Sequence, residues 1–360
     1  MSVDTLTPPT PDTQGPASGG PGGPPPAAIL LQMMDGIKVT QLIHVAAVLG
    51  LADQLREGPR TSDDLAAAVG AHPGALYRVL RALASLGIFR EIDGGRFALT
   101  PLAEPLRSDV PGSVKAWATV CGTDWHLRMW SDILYSVKTG LGAFPHMHGG
   151  MGSFEYFQQH PEAGAVFYQA MTDLTAQVSA AVLAAYDFAG VRRIVDVGCG
   201  NGTFTEAILN AHPQLTALLY DIPPVIEAAR GVLGAAGLSS RCEFAAGDFF
   251  VSVPSSGAGG DAYVLKNIVH DWSDEKSITL LRNCRQAMPA DGRLLIVEMV
   301  VQPGNDPSPA KMFDITMMVA EGGQERTEAE QRKLLAAAGF ELARVVPTPS
   351  PVSVIEARPV

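Results

Sequence analysis

The second half of the chain alternates short apolar runs with stretches of helical periodicity, which predicts a parallel α/β sheet. The runs are rich in β-branched residues, as buried parallel strands require. We expect a doubly wound, Rossmann-like fold whose last two strands form an antiparallel pair. The predicted strands are 193–198, 216–220, 242–246, 262–268, 293–300, 340–346 and 352–358.

The first half has helical periodicity interrupted by one short β-hairpin. Apolar residues recur at helical spacing from Ile29 to Leu49, and so many this early predict a helix that packs on something larger than its own domain. Between residues 61 and 100, two short helices precede a hairpin whose turn is Asp93–Gly95. Two helices and a wing predict a winged helix-turn-helix unit.

A glycine-rich turn follows the first strand of the second half. The run Val-Asp-Val-Gly-Cys-Gly-Asn-Gly includes Asp196, Gly198, Gly200 and Gly202, and a helical pattern begins near Thr203. A strand, a glycine turn and a helix form a nucleotide site at the carboxyl end of the strand, where a Cβ would hold the ligand away. The spacing fits neither the dinucleotide fingerprint nor the Walker pattern.

Carboxylates also follow the next two predicted strands. Asp221, followed by Ile222, lies about twenty residues past the glycine turn, where an acid accepts hydrogen bonds from ribose hydroxyls. Asp248 ends the third strand and can accept from an adenine amino group, while Phe249 can cover the ring. The alternatives are a helix N-cap for Asp221 and a plain turn for Asp248.

The fourth predicted strand leads into Leu-Lys-Asn-Ile-Val-His-Asp-Trp at 265–272. In a doubly wound sheet this strand lies beside the first, so His270 at its carboxyl end faces the same crevice as the glycine turn. Histidine is the side chain best able to take a proton near neutral pH. A lone histidine at a strand end is more commonly structural, so the sequence around it decides the interpretation.

Three further motifs accompany this one: Asp221, Gly-Asp-Phe-Phe at 247–250 and Gly-Gly-Gln-Glu-Arg-Thr at 322–327. Together they resemble the plant-type small-molecule O-methyltransferases, over nearly all of the chain after residue 28. The resemblance implies S-adenosylmethionine (SAM) as methyl donor, S-adenosylhomocysteine as product and no metal. It also implies a small aromatic or polyketide-like acceptor and a homodimer.

The resemblance assigns roles to individual residues. It implies that His270 removes the proton from a phenolic hydroxyl, and that Glu298 and Glu325 flank the imidazole. A neighbouring carboxylate would fix the ring tautomer and stabilise the imidazolium. The further cofactor contacts that it implies are Lys266, Asp271 and Trp272. A strand-end ion pair for Glu298 and a helix cap for Glu325 are the alternatives.

Candidate acceptor-binding residues come from two sources. Phe167 and Met171 lie four apart on one predicted helix face and could form a pocket wall. The resemblance adds residues that border the substrate, which are Asn267, Asp314, Met317 and Met318. Because Asn267 stands where plant enzymes usually have an aromatic residue, the resemblance does not identify the substrate.

The patterns divide the chain into three parts. Residues 1–27 are rich in Pro, Gly, Ser and Thr, and we predict a disordered tail. Residues 28–185 are predicted to form a helical winged-helix domain that dimerises and covers the substrate. Residues 186–360 are predicted to form the SAM-binding catalytic domain.

Composition bears on partners and compartment. The formal net charge of −11 argues against nucleic acid as a partner, and the charges within 61–100 balance locally. No apolar run reaches membrane-spanning length, so we expect no membrane partner. The four cysteines lie far apart, which predicts neither a zinc site nor disulfides and favours the cytoplasm.

Two other functions remain open from the sequence. Some bacterial relatives of this family keep the fold and SAM but catalyse other reactions, such as hydroxylation or decarboxylation. The alternative that is not an enzyme is a SAM-sensing winged-helix regulator that binds DNA. The presence of His270, Glu298 and Glu325 together disfavours the regulator.

Overall fold

The computed structural model describes residues 24–257 and 261–360. Most of the predicted tail therefore lies outside the described residues. The first helix begins at Pro26, within the range assigned to that tail. Proline fits the first position of a helix because its missing N–H would have no partner there.

The first half is helical with a small antiparallel sheet of β1 (Arg60–Thr61), β2 (Phe89–Ile92) and β3 (Arg96–Leu99), in the order β1–β3–β2. Its helices are α1 (Pro26–Met34), α2 (Gly36–Val48), α3 (Leu51–Gln54), α4 (Ser62–Val69), α5 (Pro73–Ser85), α6 (Lys115–Cys121), α7 (Asp124–Ser131), α8 (Ile133–Thr139), α9 (Ala143–Met147), α10 (Ser153–Gln159) and α11 (Pro161–Ala185).

The winged unit forms as predicted. Thr61 caps α4, since its hydroxyl oxygen accepts from the Asp64 N–H at 3.1 Å. Helices α4 and α5 then pack with the β2–β3 hairpin around a core that includes the fully buried Leu65, Leu80 and Phe97. The apolar periodicity alone was sufficient to place these elements.

The second half contains β4 (Arg193–Val197), β5 (Thr216–Asp221), β6 (Cys242–Ala246), β7 (Asp261–Lys266), β8 (Arg293–Met299), β9 (Phe340–Pro347) and β10 (Val352–Pro359). Its helices are α12 (Thr203–Ala211), α13 (Pro223–Ala235), α14 (Asp274–Ala287), α15 (Pro309–Ala320) and α16 (Glu328–Ala337). The strands form one sheet in the order β6–β5–β4–β7–β8–β10–β9. All seven predicted strands are present, and β10 runs antiparallel to both its neighbours.

Apolar cores cover both faces of this sheet. Ile194 and Leu219 point to the face covered by α11, α12 and α13, whereas Val195 and Tyr263 point to the face covered by α14 and α16. The side chains alternate between the faces because successive residues of a strand point in opposite directions. Both cores confirm the doubly wound class.

The sheet order brings the predicted motifs together. β4 pairs in parallel with both β5 and β7, so the carboxyl ends of all three strands lie at one edge. β7 ends at Lys266 rather than at 268, because Asn267 leaves the strand with a φ of 54°. Asparagine is among the few non-glycine residues that tolerate this left-handed conformation.

Pro145 and three nearby glycines predict that His146 and His148 lie in an exposed loop rather than in a metal site; His146 is exposed, but part of the segment is helical. Residues Ala143–Met147 form the short helix α9. The His146 ring stacks on Tyr135 at 3.7 Å, and His148 lies against Phe144 at 4.4 Å between ring centroids. The Tyr135 contact packs α9 on the neighbouring helix α8. No described helix is long and apolar enough to span a bilayer.

Candidate active site

The glycine turn between β4 and α12 has one glycine that faces open space. A Cβ added at Gly198 would collide with Ile268, and one added at Gly202 would collide with Leu233. A Cβ at Gly200 would meet no heavy atom within 4 Å. All three glycines have a positive φ, which favours glycine, but only at Gly200 does no protein atom occupy the space where a ligand could lie.

Asp221 at the end of β5 is attached to this turn. Its Oδ2 accepts from the Gly200 N–H at 3.0 Å, and its Oδ1 accepts from the Ile222 N–H at 2.7 Å. Burial raises the pKa of this carboxyl, and the two N–H donors oppose the shift. Each carboxylate oxygen keeps a lone pair for a ligand hydroxyl.

Asp196 lies beneath the turn. Its Oδ2 accepts from the Thr205 hydroxyl at 2.6 Å, and burial raises its pKa to about 6. Lys266 lies between this carboxyl, Asp271 and Glu298. Burial lowers the lysine pKa and the three acids oppose that change.

The ends of β6 and β7 bring aromatic rings together. The Trp272 ring meets Phe250 edge to face at 4.8 Å and Phe249 at 6.3 Å, and Lys276 Nζ lies 4.8 Å from its centroid. Trp272 Nε1 is buried with no partner among the described residues. Exposed Asp248 accepts from the Phe250 N–H at 2.8 Å. A buried donor without a protein partner is available to an acceptor on a ligand or to a water molecule.

His270 lies on a short turn after β7 and is nearly fully buried. Its Nδ1 is 2.6 Å from Glu325 Oε1, and its Nε2 is 3.6 Å from Asp271 Oδ1. Burial disfavours the imidazolium, but Asp271, Glu325 and Glu298 outweigh it and raise the His270 pKa to about 9. Burial raises the Asp271 pKa to about 7.

Glu298, at the end of β8, contacts the main chain of the histidine turn. Its Oε1 accepts from the His270 N–H at 3.0 Å and from the Ile268 N–H at 3.2 Å. Burial raises the pKa of this carboxyl. Of the two acids that the resemblance places beside the imidazole, Glu325 bonds the ring and Glu298 bonds the backbone.

Asp314, predicted to border the substrate, is bonded within the protein. Its Oδ1 accepts from the Glu325 N–H at 2.9 Å, which fixes the carboxylate that contacts the histidine. Burial raises the Asp314 pKa. The side chain therefore supports His270 through Glu325.

The candidate acceptor wall is an aromatic cluster from α7, α9, α10, α11 and α15. Phe167 stacks on Phe157 at 4.5 Å, and Trp125 contacts both rings edge to face. Met171 and Met318 pack against the same cluster. Phe313, also on α15, lies 5.9 Å from the His270 ring, so α15 connects the cluster to the histidine.

Met317 and Asn267, the remaining residues predicted to border the substrate, lie on α15 and near the histidine turn. Met317 is buried on α15, and its carbonyl accepts from the N–H groups of Gly322 and Gly323. Asn267 is half-buried where β7 ends, and its N–H donates to the Val297 carbonyl. These contacts position the loop that carries Glu325 and the turn that carries His270.

Sequence reasoning missed Arg326, the largest fully buried side chain among the described residues. Its guanidinium donates to the carbonyls of Val269 and Trp272 and to the Asp274 carboxylate. It thereby holds the histidine turn on both sides. Its place in the Gly-Gly-Gln-Glu-Arg-Thr motif was the available signal.

Sequence reasoning also missed a link between α11 and the glycine turn. Asn201 Nδ2 donates to the Thr172 hydroxyl at 2.9 Å, next to Met171 of the candidate acceptor wall. Nothing in the sequence pattern signals this pair.

The arrangement combines a ligand-facing glycine, carboxylates at two strand ends and a buried imidazole at one edge of the sheet. The open face of Gly200, the spare lone pairs of Asp221 and the orphan Trp272 donor fit an adenosine-type ligand such as SAM. Among residues 24–257 and 261–360, no three His, Cys, Asp or Glu side chains converge on a metal position.

Comparison with known proteins identifies the family. An O-methyltransferase domain matches residues 130–341, and an O-methyltransferase dimerisation domain matches residues 31–109. The chain is 46% identical to a phenazine O-methyltransferase of Lysobacter antibioticus, over 94% of this chain and 98% of that protein. It is 36% identical to 8-amino-8-demethylriboflavin N,N-dimethyltransferase of Streptomyces davaonensis, over 91% and 94% of the two proteins.

Solved structures agree with the sequence matches. A calicheamicin-biosynthesis methyltransferase bound to S-adenosylhomocysteine superposes with a TM-score of 0.82 at 37% identity, covering 93% of this chain and 98% of that one. The matches cover both halves of the chain. This protein therefore belongs to the SAM-dependent O-methyltransferases that carry an N-terminal dimerisation domain.

Proposed function

We propose that this enzyme transfers the methyl group of SAM to a hydroxyl on a small aromatic metabolite, with His270 as general base. The observation that carries the proposal is the 2.6 Å contact between His270 Nδ1 and Glu325. With Nδ1 occupied by the carboxylate, Nε2 is the nitrogen that takes the proton. The carboxylate then stabilises the imidazolium that forms.

The pKa of His270 bears on how a phenolic acceptor would lose its proton. A phenol has a pKa near 10 and an ordinary histidine about 6.5, so proton transfer between them is uphill in water. A pKa raised to about 9 narrows this gap, but it also leaves most of the imidazole protonated near neutral pH, so the ring must lose that proton before it can act as the base. A positive charge on a bound cofactor would disfavour the imidazolium and so favour the neutral, basic form. Positioning of the acceptor oxygen supplies a large part of the remaining acceleration.

We assign the cofactor to the edge formed by β4, β5, β6 and β7. The Gly200 backbone would lie against the cofactor, and the Asp221 carboxylate would accept hydrogen bonds from the cofactor's hydroxyls. Gly198, Gly202 and Asp196 shape the turn. When bound, SAM supplies an electrophilic methyl group on a sulfonium sulfur. The remaining residues assigned to the cofactor are Ile222, Asp248, Phe249, Lys266, Asp271 and Trp272.

We assign the acceptor to the aromatic cluster beside His270. Phe167, Met171, Met318 and Phe313 present flat or flexible apolar surface, which suits a planar ring. Asn267 and Met317 border this space, and Asp314 acts through Glu325. The phenazine relative supports a fused aromatic acceptor.

The test is methyl transfer from labelled SAM to a panel of hydroxylated aromatics that includes hydroxyphenazines and naphthols. Each hydroxyl compound is paired with its amino analogue, because one relative is an N,N-dimethyltransferase. Transfer to hydroxyls supports the proposal, and transfer only to amines would replace it with N-methylation. SAM binding without any transfer would favour divergent chemistry such as hydroxylation or decarboxylation.

We also propose a cytoplasmic homodimer. The matched dimerisation domain and the exposed apolar side chains of α1 support the dimer. We propose no nucleic-acid or membrane partner. A gel shift with random DNA tests the remaining regulator alternative, and a SAM-dependent shift would support that alternative.

A further inference from the structure

We propose that Glu321 is a positioning residue that fastens residues 142–153, here called the cover segment, onto the catalytic half beside His270. The cover segment comprises α9, the loop after it and the first residue of α10. Glu321 directly follows α15, and neither the sequence motifs nor the assigned site includes it. The kinetic test of this inference rests on the proposed function, because it measures methyl transfer to an acceptor.

The first supporting contact is a hydrogen bond between the two halves. Glu321 Oε1 accepts from the backbone N–H of Ser153 at 2.6 Å, across 168 positions of sequence. Ser153 begins α10, and the N–H groups of a first helical turn have no partner within the helix. A mostly buried carboxylate makes a strong hydrogen bond with such a donor.

The second contact is close packing of both ends of the cover segment, of Gly142 on the backbone of residues 320–322 and of Gly152 on the Glu321 side chain. A Cβ added at Gly142 would lie 3.0 Å from the Ala320 carbonyl oxygen and from the Gly322 nitrogen. A Cβ added at Gly152 would lie 3.1 Å from Glu321 Oε2. Both ends of the cover segment therefore lie so close to residues 320–322 that an added side chain would require the neighbouring atoms to shift.

The contacted residues continue directly to the histidine turn. The backbone of Gly323 packs on the His270 carbonyl so closely that an added Cβ would collide with it. The Gln324 N–H donates to that carbonyl at 2.8 Å. From the cover segment, the fully buried Phe144 packs into the aromatic cluster at 6.4 Å from Trp125. The cover segment thus joins the candidate acceptor wall to the turn that carries His270.

These contacts predict a specific kinetic effect. The histidine turn is held separately by Arg326 and Glu298, so loss of the Glu321 bond should leave the chemical step in place. The acceptor wall depends on the cover segment through Phe144. Loosening the segment should weaken acceptor binding more than it slows turnover.

The experiment compares Glu321→Ala, Glu321→Gln and the control Glu155→Gln in the full-length protein. Glu155 is an exposed acid on α10 itself, bonded to Gln159 within that helix. Glu321→Ala should raise the acceptor KM roughly tenfold, the worth of one hydrogen bond to a charged group. Both kcat and SAM affinity should change less than about twofold. Glu321→Gln should recover most of the loss because its amide oxygen still accepts.

Hydrogen exchange provides a second measurement that needs no acceptor substrate. The Ser153 amide should lose roughly tenfold protection in Glu321→Ala and keep it in the other two variants. Unchanged Ser153 protection and acceptor KM in Glu321→Ala would overturn the inference. A uniform loss of protection in both halves would also overturn it, since that result indicates general destabilisation. If no acceptor is methylated by the unmutated protein, the proposed function fails while the exchange measurement still decides the role of Glu321.

Discussion

Nδ1 of His270 lies 2.6 Å from Oε1 of Glu325, and the two side chains are 5% and 1% exposed. The residues are 55 positions apart in sequence, and this contact defines the chemistry of the candidate site. In the neutral imidazole this carboxylate holds the proton on Nδ1, so Nε2 is the nitrogen that can receive one.

Replacing His270 by alanine should separate binding from chemistry. Turnover of a phenol should fall by roughly 10²–10⁴-fold, the usual worth of a positioned base. SAM affinity should persist, because most of the proposed cofactor contacts come from other strand ends. The measurement is transfer from labelled SAM to phenols of graded pKa, with calorimetry for SAM. The loss should shrink as the phenol becomes more acidic, and full rates on weakly acidic phenols would rule out base catalysis by this residue.

The two glutamates should differ when each is changed to glutamine. Glu325→Gln removes the charge beside the imidazole, and activity should fall by about 10–100-fold, as for other residues that orient a functional histidine. Glu298→Gln should cost less, since an amide oxygen can still accept from the His270 N–H. Steady-state kinetics with a single phenol compares them. A larger loss for Glu298→Gln would contradict the assigned roles.

The pKa of His270 predicts a pH dependence of stability. Its pKa of about 9 in the folded protein exceeds the ordinary value of 6.5, so the charged form favours folding. This contribution is fully present below pH 6.5 and is lost as the pH rises through about 9. Urea unfolding between pH 6.5 and 9 should therefore show a decline that is smaller in His270→Gln. Equal declines would contradict the raised pKa.

The same histidine should respond to the cofactor. A nearby sulfonium cation disfavours the imidazolium, so SAM should lower the pKa of His270. Histidine NMR titrations with and without SAM measure this change. A pKa that stays constant on saturation with SAM would remove the histidine from the vicinity of the methyl group.

Two glycines of the same turn should have different phenotypes. A Cβ at Gly200 enters open space, so Gly200→Ala should weaken SAM binding at a folding cost of about 1–2 kcal/mol from its positive φ. A Cβ at Gly202 meets Leu233, so Gly202→Ala should lose about 1–3 kcal/mol more. Calorimetry and urea unfolding measure the two effects. Equal destabilisation with unchanged SAM affinity for Gly200→Ala would place the cofactor elsewhere.

The first helix should be needed for dimer formation. Leu31 and Met34 on α1 are 62% and 64% exposed, which is unusual for large apolar side chains close together. Changing both to glutamate should yield a monomer by light scattering at micromolar concentration. Val251→Glu is the control, because this residue is 75% exposed and lies in the other half. Removing residues 1–25 should leave the dimer intact, and a dimer that survives both glutamates would contradict the assignment.

The sequence by itself determined the winged unit and the strands of the large sheet, but it did not predict helix α9. β-branched runs and helical periods located all seven strands, and the glycine turn with Asp221 and His270 followed from strand ends. These features depend on residues within a few positions of one another, where backbone geometry and side-chain periodicity are sufficient. The expected strand order then placed the glycine turn and the histidine turn at the same edge, because a doubly wound sheet allows few strand orders.

Only the tertiary structure decided how distant side chains pair. It assigned Glu298 to a backbone contact and Asp314 to the Glu325 N–H, and it revealed the buried Arg326. It also joined Glu321 to Ser153. Such contacts form between segments that come together only when the whole core is packed. A carboxylate has the same local pattern whether it bonds a ring, a main-chain amide or water, so its partner depends on packing that no local periodicity encodes.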